Sequence, residues 1–341
     1  MSVKIGIVGR GFMGSMHLAA YAGIRGAQVV GICDKRKEML RPDAQAGGNI
    51  DLGGGTIDSS RVKWYSRLEE MLGDPEMDVV DITLPTHLHA GTALKAFAAG
   101  KHVICEKPLA LNSTDAARII AGAKKARKRL FVAHCIRYWP PYARAHELVR
   151  SGKYGKVLSA RFVRLSPTPG WSAGGWITHR KFSGDAALDL HIHDSDFVLY
   201  TFGAPRAVVS RGAGIGLKKG RFDHIATTYE YADGKLVTAE GSWIYAPGFE
   251  FEMQFAVAME KATLVCKPDL SLTLHPVKGK SRKLRLPQRD GYDLELRDFV
   301  SCLRTGRPCK VVTPNSALQA VKLVEAEIRS ARTGRRVAVR L

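Results

Sequence analysis

The sequence predicts an α/β protein of two domains. The N-terminal domain is expected to hold a parallel, doubly wound sheet, and the C-terminal α/β domain a large open, mostly antiparallel sheet. From residue 1 to about 133, short β-branched runs alternate with segments of helical spacing, which is typical of a parallel sheet with crossover helices. After Gly203, strand-like runs follow one another across turns such as Ala232-Asp233-Gly234-Lys235, and this pattern favours antiparallel pairing.

The length and composition fit this plan. A chain of 341 residues with 45% apolar and 25% charged residues is typical of a globular protein of two domains. No apolar run approaches the roughly 18 residues of a membrane span, and the first strand begins so close to Met1 that we expect no signal peptide. The six cysteines form no C-x-x-C pair, so we expect reduced thiols and a cytoplasmic protein.

The formal net charge of +20 would attract nucleic acid, acidic surfaces or anionic substrates. Its basic residues are scattered, and the short clusters are not interleaved with aromatic residues. We interpret the charge as a solvated surface, with an anionic substrate or partner as the alternative, and expect no nucleic-acid partner. The clusters are Lys124 to Arg129, Lys218 to Arg221 and Lys278 to Arg285.

The first half contains six predicted strands, the number of a complete Rossmann-type sheet. They are Val3 to Val8, Val29 to Cys33, Val62 to Trp64, Val79 to Thr83, Lys101 to Cys105 and Leu130 to His134. Helical patterns cover Lys37 to Leu40, Leu68 to Leu72, His89 to Ala99 and Thr114 to Arg127, the last with Ser113 or Asn112 as its N-cap. The glycine-rich stretch from Pro42 to Ser60 is long for a βα connection, which predicts an insertion or a flap.

The second half contains four predicted helices and eight predicted strands. The helices are Pro141 to Arg150, Ala186 to Phe202, Tyr292 to Arg304 and Asn315 to Ala331. The strands are Val157 to Ser166, Ala207 to Ser210, Ile225 to Tyr231, Leu236 to Trp243, Phe251 to Ala258, Thr263 to Cys266, Leu272 to His275 and Arg282 to Leu286. We therefore predict domains at 1–133 and 134–341, and leave open whether the helix at 315–331 packs back on the first domain.

A glycine motif follows the first strand without a gap. The segment Gly9-Arg10-Gly11-Phe12-Met13-Gly14 is G-x-G-x-x-G between a strand and a helix, where the motif indicates a dinucleotide site. Gly9 permits the tight turn, Gly11 lets the backbone approach a pyrophosphate, and Gly14 lets helix and strand pack closely. The helix N-terminus offers N–H groups to the anion. The predicted cofactor contacts here are Gly9, Gly11, Phe12, Met13 and Gly14.

Asp34 ends the second predicted strand, where the acidic residue of a dinucleotide fingerprint is expected. A carboxylate at this place binds the ribose hydroxyls of NAD and repels a 2′-phosphate. Lys35 and Arg36 follow at once, and either could pair with a 2′-phosphate. We therefore predict NAD, with Asp34 and Lys35 among its contacts, and leave NADP open.

Two further segments follow carboxyl ends of predicted strands, where ligands of doubly wound sheets lie. Leu84-Pro85-Thr86-His87-Leu88-His89 follows the fourth strand, and Glu106-Lys107-Pro108 follows the fifth. The ammonium of Lys107 could hydrogen-bond a reacting oxygen and stabilise alkoxide character. The predicted cofactor contacts in these segments are Pro85, His87, His89, Glu106 and Lys107.

Together with further segments, these residues resemble the glucose–fructose oxidoreductase/inositol dehydrogenase/MocA family, and the resemblance covers nearly the whole chain. The glycine motif is the weaker part of the match, and the Glu-Lys-Pro turn together with a later Asp-x-x-x-His is the specific part. The matching segments are Gly9–Gly14, Thr83–His89, Gly100–Ala110, Arg137–Pro140, Gly152–Val157 and Ala187–Asp194. The resemblance implies an NAD(P)-dependent oxidoreductase acting on a secondary hydroxyl or ketone of a sugar, sugar derivative or cyclitol.

The resemblance implies Lys107, Asp189 and His193 as the catalytic residues. Asp189 and His193 lie four apart in a predicted helix, so both project from one face. His193 would take the hydroxyl proton as general base while hydride goes to nicotinamide C4. Lys107 would polarise the oxygen, and Asp189 would orient the substrate or the imidazole. His191 stands where the family usually has a small residue, and we expect it to contact substrate or a neighbouring subunit.

Two more residues are predicted to bind substrate. Arg137, at the end of the sixth strand, matches a family position near the active site. Trp176 lies in a loop rich in Gly, Pro and Trp, where an aromatic ring suits stacking on a sugar face, with a packed loop as the alternative. The predicted substrate-binding residues are Lys107, Arg137, Trp176, Asp189 and His193.

The cluster Asp189, His191, His193, Asp194 and Asp196 contains residue types that can bind a metal ion. Residues two apart on a helix face different directions, so His191 and His193 are poorly placed to share a metal ion. The sequence also has no H-E-x-x-H segment and no cysteine pair. We therefore expect no metal.

Three alternatives to a dehydrogenase stay open. The first is a glycosidase of the same family that uses bound NAD for transient oxidation and elimination. The second is a non-catalytic nucleotide-binding sensor or corepressor, and the third a basic nucleic-acid-binding protein on the same fold. Whichever holds, an open sheet with one uncovered face favours a homodimer or homotetramer.

Overall fold

The computed structural model describes residues 2–44, 46–48, 58–215 and 220–341. The chain divides into two compact units: unit 1 holds Met1–Cys135, Gly170–Ile177 and Asp290–Leu318, and unit 2 holds Ile136–Pro169, Thr178–Arg289 and Gln319–Leu341. Most of the predicted insertion or flap between Pro42 and Ser60, and part of the basic cluster Lys218 to Arg221, lie outside the described residues. Within the described chain, no helix combines the length and the apolar character needed to cross a membrane.

The elements up to residue 135 alternate strands with helices. They are β1 Val3–Val8, α1 Phe12–Ala22, β2 Ala27–Cys33, β3 Lys63–Tyr65, α2 Leu68–Leu72, β4 Val79–Ile82, α3 His89–Ala98, β5 His102–Glu106, α4 Ser113–Ala126 and β6 Leu130–Ala133. The strands form one six-stranded sheet in the order β3-β2-β1-β4-β5-β6, and every pairing is parallel. This is the strand order of a Rossmann domain, and the predicted parallel sheet is confirmed.

The apolar strands explain why this sheet forms. All four residues of β4, and likewise of β6, are buried, as expected of a parallel sheet covered on both faces. The helix α4 begins where the sequence predicts an N-cap. The Asn112 side chain accepts a hydrogen bond from the Asp115 N–H at 2.8 Å and caps α4. Because these strands are parallel and adjacent, the carboxyl ends of β1, β2, β4 and β5 lie along one edge of the sheet.

The described residues of 136–289 form two helices of 11 residues, two short helices and most of a second sheet. The elements are α5 Pro140–Arg150, β7 Val157–Pro167, α6 Arg180–Ser183, α7 Asp185–Asp189, α8 Ile192–Phe202, β8 Ala207–Ala213, β9 His224–Glu230, β10 Leu236–Tyr245, β11 Glu252–Met259, β12 Ala262–Cys266, β13 Leu272–Pro276 and β14 Arg282–Lys283. The chain ends with α9 Gly291–Thr305, α10 Pro314–Thr333 and β15 Val337–Ala338. The last strand was not predicted.

The second sheet has nine strands in the order β14-β13-β12-β11-β7-β10-β9-β8-β15. The β7–β10 pair is parallel and the other pairings are antiparallel, which confirms the mostly antiparallel sheet. Buried and partly exposed residues alternate along β9, β11 and β12, so one face is packed and the other reaches solvent. The core of unit 2 includes an aromatic cluster of Tyr142, Phe162, Phe197 and Phe255, whose rings lie 4.8–5.7 Å apart.

The prediction of one helix from Ala186 to Phe202 is wrong, because the structure breaks it into α7 and α8 at Leu190 and His191. The His191 N–H reaches back five residues to the Ala186 oxygen at 2.8 Å, and the His193 N–H reaches back three to the Leu190 oxygen at 3.3 Å. The backbone thus forms one wide turn and one tight turn in place of the α-helical hydrogen bonds between residues four apart. Such irregular turns are frequent at functional sites.

Candidate active site

The glycine loop of unit 1 has the geometry that its sequence predicts. Gly9 has φ +94°, and a Cβ on Gly14 would lie 2.1 Å from the Gly9 carbonyl oxygen, so neither position accepts a side chain without a shift in the backbone. A Cβ on Gly11, at the N-cap of α1, would meet no described atom within 4 Å. The loop therefore leaves open space beside a helix N-terminus, which is the cradle that a pyrophosphate requires.

The two other predicted contacts in this loop differ in exposure. Met13 is partly exposed, whereas Phe12 is buried. The Phe12 ring packs against the Trp171 ring, with centroids 4.9 Å apart, and a Cβ on Gly48 would overlap it. The structure thus gives Phe12 a packing role within unit 1, beside the predicted site.

Asp34 lies at the carboxyl end of β2, buried, with four hydrogen bonds to its two oxygens. Its Oδ1 accepts from the Arg36 N–H at 2.9 Å and from Arg36 Nε at 3.0 Å. Its Oδ2 accepts from the Arg10 N–H at 2.8 Å and from Arg36 Nη2 at 2.9 Å. A carboxylate has about four acceptor positions, so these contacts occupy all of them. Lys35, which lies between Asp34 and Arg36 in the sequence, is exposed.

Sequence analysis missed the role of Arg10, the first variable residue of the glycine motif. Its guanidinium is buried and donates to the carbonyl oxygens of Met39 at 3.1 Å, Pro42 at 3.0 Å and Ala44 at 3.2 Å, and also to that of Arg41. Burial lowers the pKa of Arg10, and the nearby carboxylates of Asp43 and Asp34 oppose that shift. Arg10 thereby holds the segment after β2 against the glycine loop.

The segment after β4 supplies the next predicted contacts. Pro85 is partly exposed and His87 is exposed at this edge of the sheet. His89 is buried, with Nδ1 2.9 Å from the Pro108 oxygen and Nε2 2.8 Å from the Leu84 oxygen. Its ring thus bridges two backbone segments, and we correct its predicted cofactor contact to a supporting role.

Lys107 follows β5 at the same sheet edge and is partly exposed. The peptide bond from Lys107 to Pro108 is cis. Glu106, predicted to contact the cofactor, is buried. Its Oε1 lies 3.0 Å from His17 Nε2, and its Oε2 accepts from the Lys107 N–H at 3.0 Å. The Glu106 carboxylate is therefore turned inwards and supports the turn that carries Lys107.

In unit 2, exposure separates Asp189 and His193 from their neighbours. Both are partly exposed, and every other residue of the described segment 185–199 is buried. The two predicted catalytic side chains are thus the positions at which this segment reaches solvent, despite the break between α7 and α8. The sequence found both, although the helix that suggested their common face is irregular.

Two buried ion pairs anchor α8 directly after His193. Asp194 accepts from Arg164 Nε at 2.8 Å and Nη2 at 3.1 Å. Asp196 accepts from Arg137 Nε at 2.8 Å and Nη2 at 2.5 Å. Arg137 is 3% exposed, so the prediction that it binds substrate is corrected: its guanidinium is held by Asp196 inside unit 2. Asp194 and Asp196, weighed as metal ligands, are both occupied by arginines.

His191 is wholly buried, which contradicts its predicted contact with substrate or with a neighbouring subunit. Its Nε2 lies 3.3 Å from Glu327 Oε2, and the same Glu327 oxygen accepts from the Ser195 hydroxyl at 3.0 Å. A Cβ on Gly241 would lie 2.8 Å from the His191 Cβ. The imidazole thus fits because residue 241 of β10 is glycine.

Trp176, the remaining predicted substrate contact, is partly exposed within a 3₁₀ turn at Ala173–Thr178, in the segment assigned to unit 1. Other buried polar residues of both units escaped sequence analysis. One pattern could have pointed to them: Asp81 is a charged residue in the middle of β4, Val79-Val80-Asp81-Ile82, whose four residues are buried. A charge inside such a strand requires a partner. The polar residues missed are Arg10, His17, Asp81, Arg164, Glu295 and Glu327.

Comparison with protein families accounts for most of the chain. A model described as "Oxidoreductase family, NAD-binding Rossmann fold" (GFO_IDH_MocA) matches residues 3–134, and the GFO/IDH/MocA C-terminal domain matches residues 142–265. The chain belongs to the Gfo/Idh/MocA oxidoreductase family. Its N-terminal region is thus an NAD-binding Rossmann domain, and the resemblance stated from the sequence is confirmed.

Relatives of this Gfo/Idh/MocA protein are similar over most of their length. A myo-inositol 2-dehydrogenase of Thermotoga maritima is 27% identical over 90% of this chain and 90% of its own. A 1,5-anhydro-D-fructose reductase of Ensifer adhaerens is 27% identical over 80% of this chain and 83% of its own. A levoglucosan dehydrogenase solved with NADH and levoglucosan has a TM-score of 0.85 at 22% identity, covering 100% of both chains, and it shows the shared fold.

Proposed function

We propose that this Gfo/Idh/MocA oxidoreductase uses NAD to oxidise, reversibly, a secondary hydroxyl of a sugar, sugar derivative or cyclitol. The observation that carries the proposal is the exposure of Lys107, Asp189 and His193, each partly exposed beside buried, anchored neighbours. The names of the two relatives, an inositol dehydrogenase and an anhydrofructose reductase, support polyhydroxylated rings as the substrate class.

The proposed chemistry assigns one task to each of these residues. The Lys107 ammonium donates a hydrogen bond to the reacting oxygen and stabilises the negative charge that develops there. His193 accepts the hydroxyl proton at an imidazole nitrogen, and Asp189 orients the substrate or the ring. Hydride acceptance at nicotinamide C4 is the chemistry that the bound cofactor supplies. Trp176 offers an indole face on which a sugar ring can stack.

The residues that would hold the cofactor lie at one edge of the parallel sheet. The glycine loop at the N-terminus of α1 suits the pyrophosphate, and Asp34 suits the adenosine ribose. Pro85, His87 and Lys107 follow the neighbouring strands β4 and β5 on the way to the nicotinamide end. NAD is the proposed cofactor, and NADP competes through Arg36, whose guanidinium stands at the ribose position.

The proposal is tested by absorbance at 340 nm with NAD and then NADP. The panel consists of inositols, sugars, sugar acids, anhydrosugars and glycosides. Wild-type protein is run beside Lys107→Ala and His193→Ala, with Lys125→Ala and His275→Ala as controls, because Lys125 and His275 are exposed on α4 and β13. We expect turnover of at least one polyol that both site variants lose and both controls keep.

Two results would redirect the proposal. Cleavage of a glycoside without net reduction of NAD would identify the glycosidase that works by transient oxidation. Tight NADH binding without turnover of any substrate would identify a nucleotide sensor. In both cases the dehydrogenase assignment fails, while the cofactor site stands.

We further propose a homodimer or homotetramer formed through the partly exposed face of the nine-stranded sheet. Along β9 and β11, partly exposed residues of this face alternate with buried residues of the opposite face. A depression of about 280 Å³ on this part of the sheet is lined by residues that include Arg161, Arg211 and Glu240. Light scattering after size exclusion is expected to give two or four chains. A monomer at micromolar concentration would contradict this.

A further inference from the structure

A buried ionic network in unit 1 joins α1, β4, β5 and α9. His17 of α1 is wholly buried between two carboxylates: its Nδ1 lies 2.8 Å from Asp81 Oδ2, and its Nε2 lies 3.0 Å from Glu106 Oε1. The Tyr21 hydroxyl donates to the same Asp81 oxygen at 2.8 Å. Ring and carboxylate atoms of His17, Glu106 and Glu295 lie within 4.8 Å of one another.

Each ring nitrogen of His17 faces a carboxylate oxygen, an arrangement in which an imidazolium donates a hydrogen bond from both nitrogens. Burial alone lowers the pKa of His17, but the charges and hydrogen bonds of Asp81 and Glu106 outweigh it and raise that pKa well above its ordinary value. Burial, and then the charge of Glu106, raise the pKa of Glu295, which favours the neutral form of that carboxyl.

Glu106 connects this network to the proposed catalytic lysine. One of its oxygens faces His17, and the other accepts from the Lys107 N–H at 3.0 Å. The pKa of Glu106 is lowered. Burial raises this pKa, but the hydrogen bond and charge of His17 and the charge of Lys107 outweigh the effect of burial. On the far side of the turn, His89 holds the Pro108 oxygen. The backbone of Lys107 is therefore held from both sides.

We propose that His17 is a positioning residue: by holding Glu106 it fixes the backbone of Lys107, and it couples the helix of the glycine loop to that lysine. The inference rests on the proposed function, since it assumes that Lys107 acts on substrate. The coupling follows from chain order. His17 lies one turn into α1, the helix whose N-terminus faces the proposed pyrophosphate position, so movement of this helix is transmitted to Glu106 and to the turn.

The two contacts of His17 distinguish a positioning role from a purely structural role. The Glu106 contact leads to Lys107, whereas the Asp81 contact leads only to β4 and Tyr21. Glutamine places its amide nitrogen near the position of histidine Nε2, and asparagine places its own near Nδ1. His17→Gln thus keeps a donor for Glu106, and His17→Asn keeps one for Asp81. Both lose the positive charge, so they form a matched pair.

The experiment compares these two variants in the full-length protein, with His275→Gln and His275→Asn as surface controls. Loss of a partner that orients a metal ligand typically lowers activity about 10- to 100-fold, and we apply the same scale to a partner that orients a catalytic lysine. We expect His17→Asn to lose kcat on that scale, while His17→Gln loses much less and the KM for NAD changes little in either variant. Thermal unfolding of both variants separates stability from positioning.

A second measurement does not depend on turnover. Reductive methylation with ¹³C-formaldehyde labels Lys107, and its dimethylamine resonance, assigned with Lys107→Arg, reports the environment of that ammonium. We expect the resonance and its titration to move in His17→Asn and to stay near wild type in His17→Gln. If wild type turns over no substrate, the proposed function fails, and this measurement still decides whether His17 positions Lys107.

Three results would overturn the inference. In the first, both variants lose kcat in proportion to their loss of stability, which indicates a structural role alone. In the second, both variants leave kcat and the Lys107 resonance unchanged, so that Glu106 does not need its histidine. A loss confined to His17→Gln would also contradict it, because the Asp81 contact would then be the important one.

Discussion

The guanidinium of Arg36 bonds both carboxylate oxygens of Asp34, with Nε 3.0 Å from Oδ1 and Nη2 2.9 Å from Oδ2. The arginine thereby occupies the acceptors that a ribose diol would use. If Asp34 binds the ribose of NAD as proposed, Arg36 has to move first, and its guanidinium then becomes available to a 2′-phosphate. The choice between NAD and NADP therefore depends on this pair, and not on the carboxylate alone.

Replacement of Arg36 is expected to shift the cofactor preference towards NAD. In Arg36→Ala the Asp34 acceptors are open to ribose hydroxyls, and a charge-assisted contact to the 2′-phosphate is lost. Such contacts contribute about 1.5–3 kcal/mol, so the ratio of the NADPH to the NADH dissociation constant should rise about tenfold or more. Fluorescence titration with both cofactors measures this. Lys37→Ala, at an exposed neighbouring position, should leave the ratio unchanged; an unchanged ratio in Arg36→Ala would contradict the role of the pair.

Lys107 is expected to contribute to the chemical step more than to cofactor binding. Loss of one preorganised donor to a developing oxyanion typically costs about 10²–10³ in kcat, and we expect this in Lys107→Met with the NADH dissociation constant little changed. Steady-state rates at 340 nm and NADH fluorescence give the two quantities. Lys125→Met serves as the control. A variant that keeps kcat would remove Lys107 from the mechanism.

The buried Arg137–Asp196 pair predicts a large loss of stability when it is broken. Arg137→Met leaves the Asp196 carboxylate, which is wholly buried, without its guanidinium, and removal of one partner of a buried pair costs about 3–5 kcal/mol. Urea unfolding measures the loss. Arg144→Met breaks the exposed Arg144–Glu147 pair and should cost at most about 1 kcal/mol. Equal losses for the two variants would show that burial does not matter here.

Glu295 predicts an unusual dependence of stability on pH. The pKa of Glu295 in the folded protein is raised above its ordinary value, which is the value in the unfolded chain. At a pH between the unfolded-state pKa and the folded-state pKa, the folded state therefore binds more protons than the unfolded state. Stability contributed by this group is complete below the ordinary pKa and falls by about 1.4 kcal/mol per pH unit above it. Glu295→Gln removes this loss, so the variant should gain on wild type as the pH rises from about 5. Unfolding free energies at several pH values test this, with Glu38→Gln, at an exposed position, as the control. A difference that is independent of pH would contradict it.

Gly241 and His191 are expected to be coupled. A Cβ at position 241 would lie 2.8 Å from the His191 Cβ and 3.0 Å from its Cα, so Gly241→Ala should cost about 1–3 kcal/mol through overpacking. Added to His191→Gly, the same change should cost much less, and a double-mutant cycle measures the coupling. Gly248→Ala is the control, since a Cβ there meets nothing within 4 Å. Additive effects would show that the two positions are independent.

The sequence by itself determined the Rossmann sheet, the second sheet and the positions of Asp34, Lys107, Asp189 and His193. These depend on local periodicity, on glycine spacing and on motifs that are read along the chain. A strand pattern followed by G-x-G-x-x-G needs no distant residue to be recognised. Element ends were found within a few residues for the same reason.

Only the tertiary structure decided which polar side chains are paired with a buried partner. His17 meets Asp81 and Glu106, which are 64 and 89 residues away along the chain, and Arg137 meets Asp196 across 59 residues. The helix through Ala186 breaks where His191 packs against Gly241 and Glu327. Local patterns determine where a backbone forms strands and helices. The partner of a buried charge depends on which elements the fold brings together, because a charge removed from water is stable only where a second group compensates it.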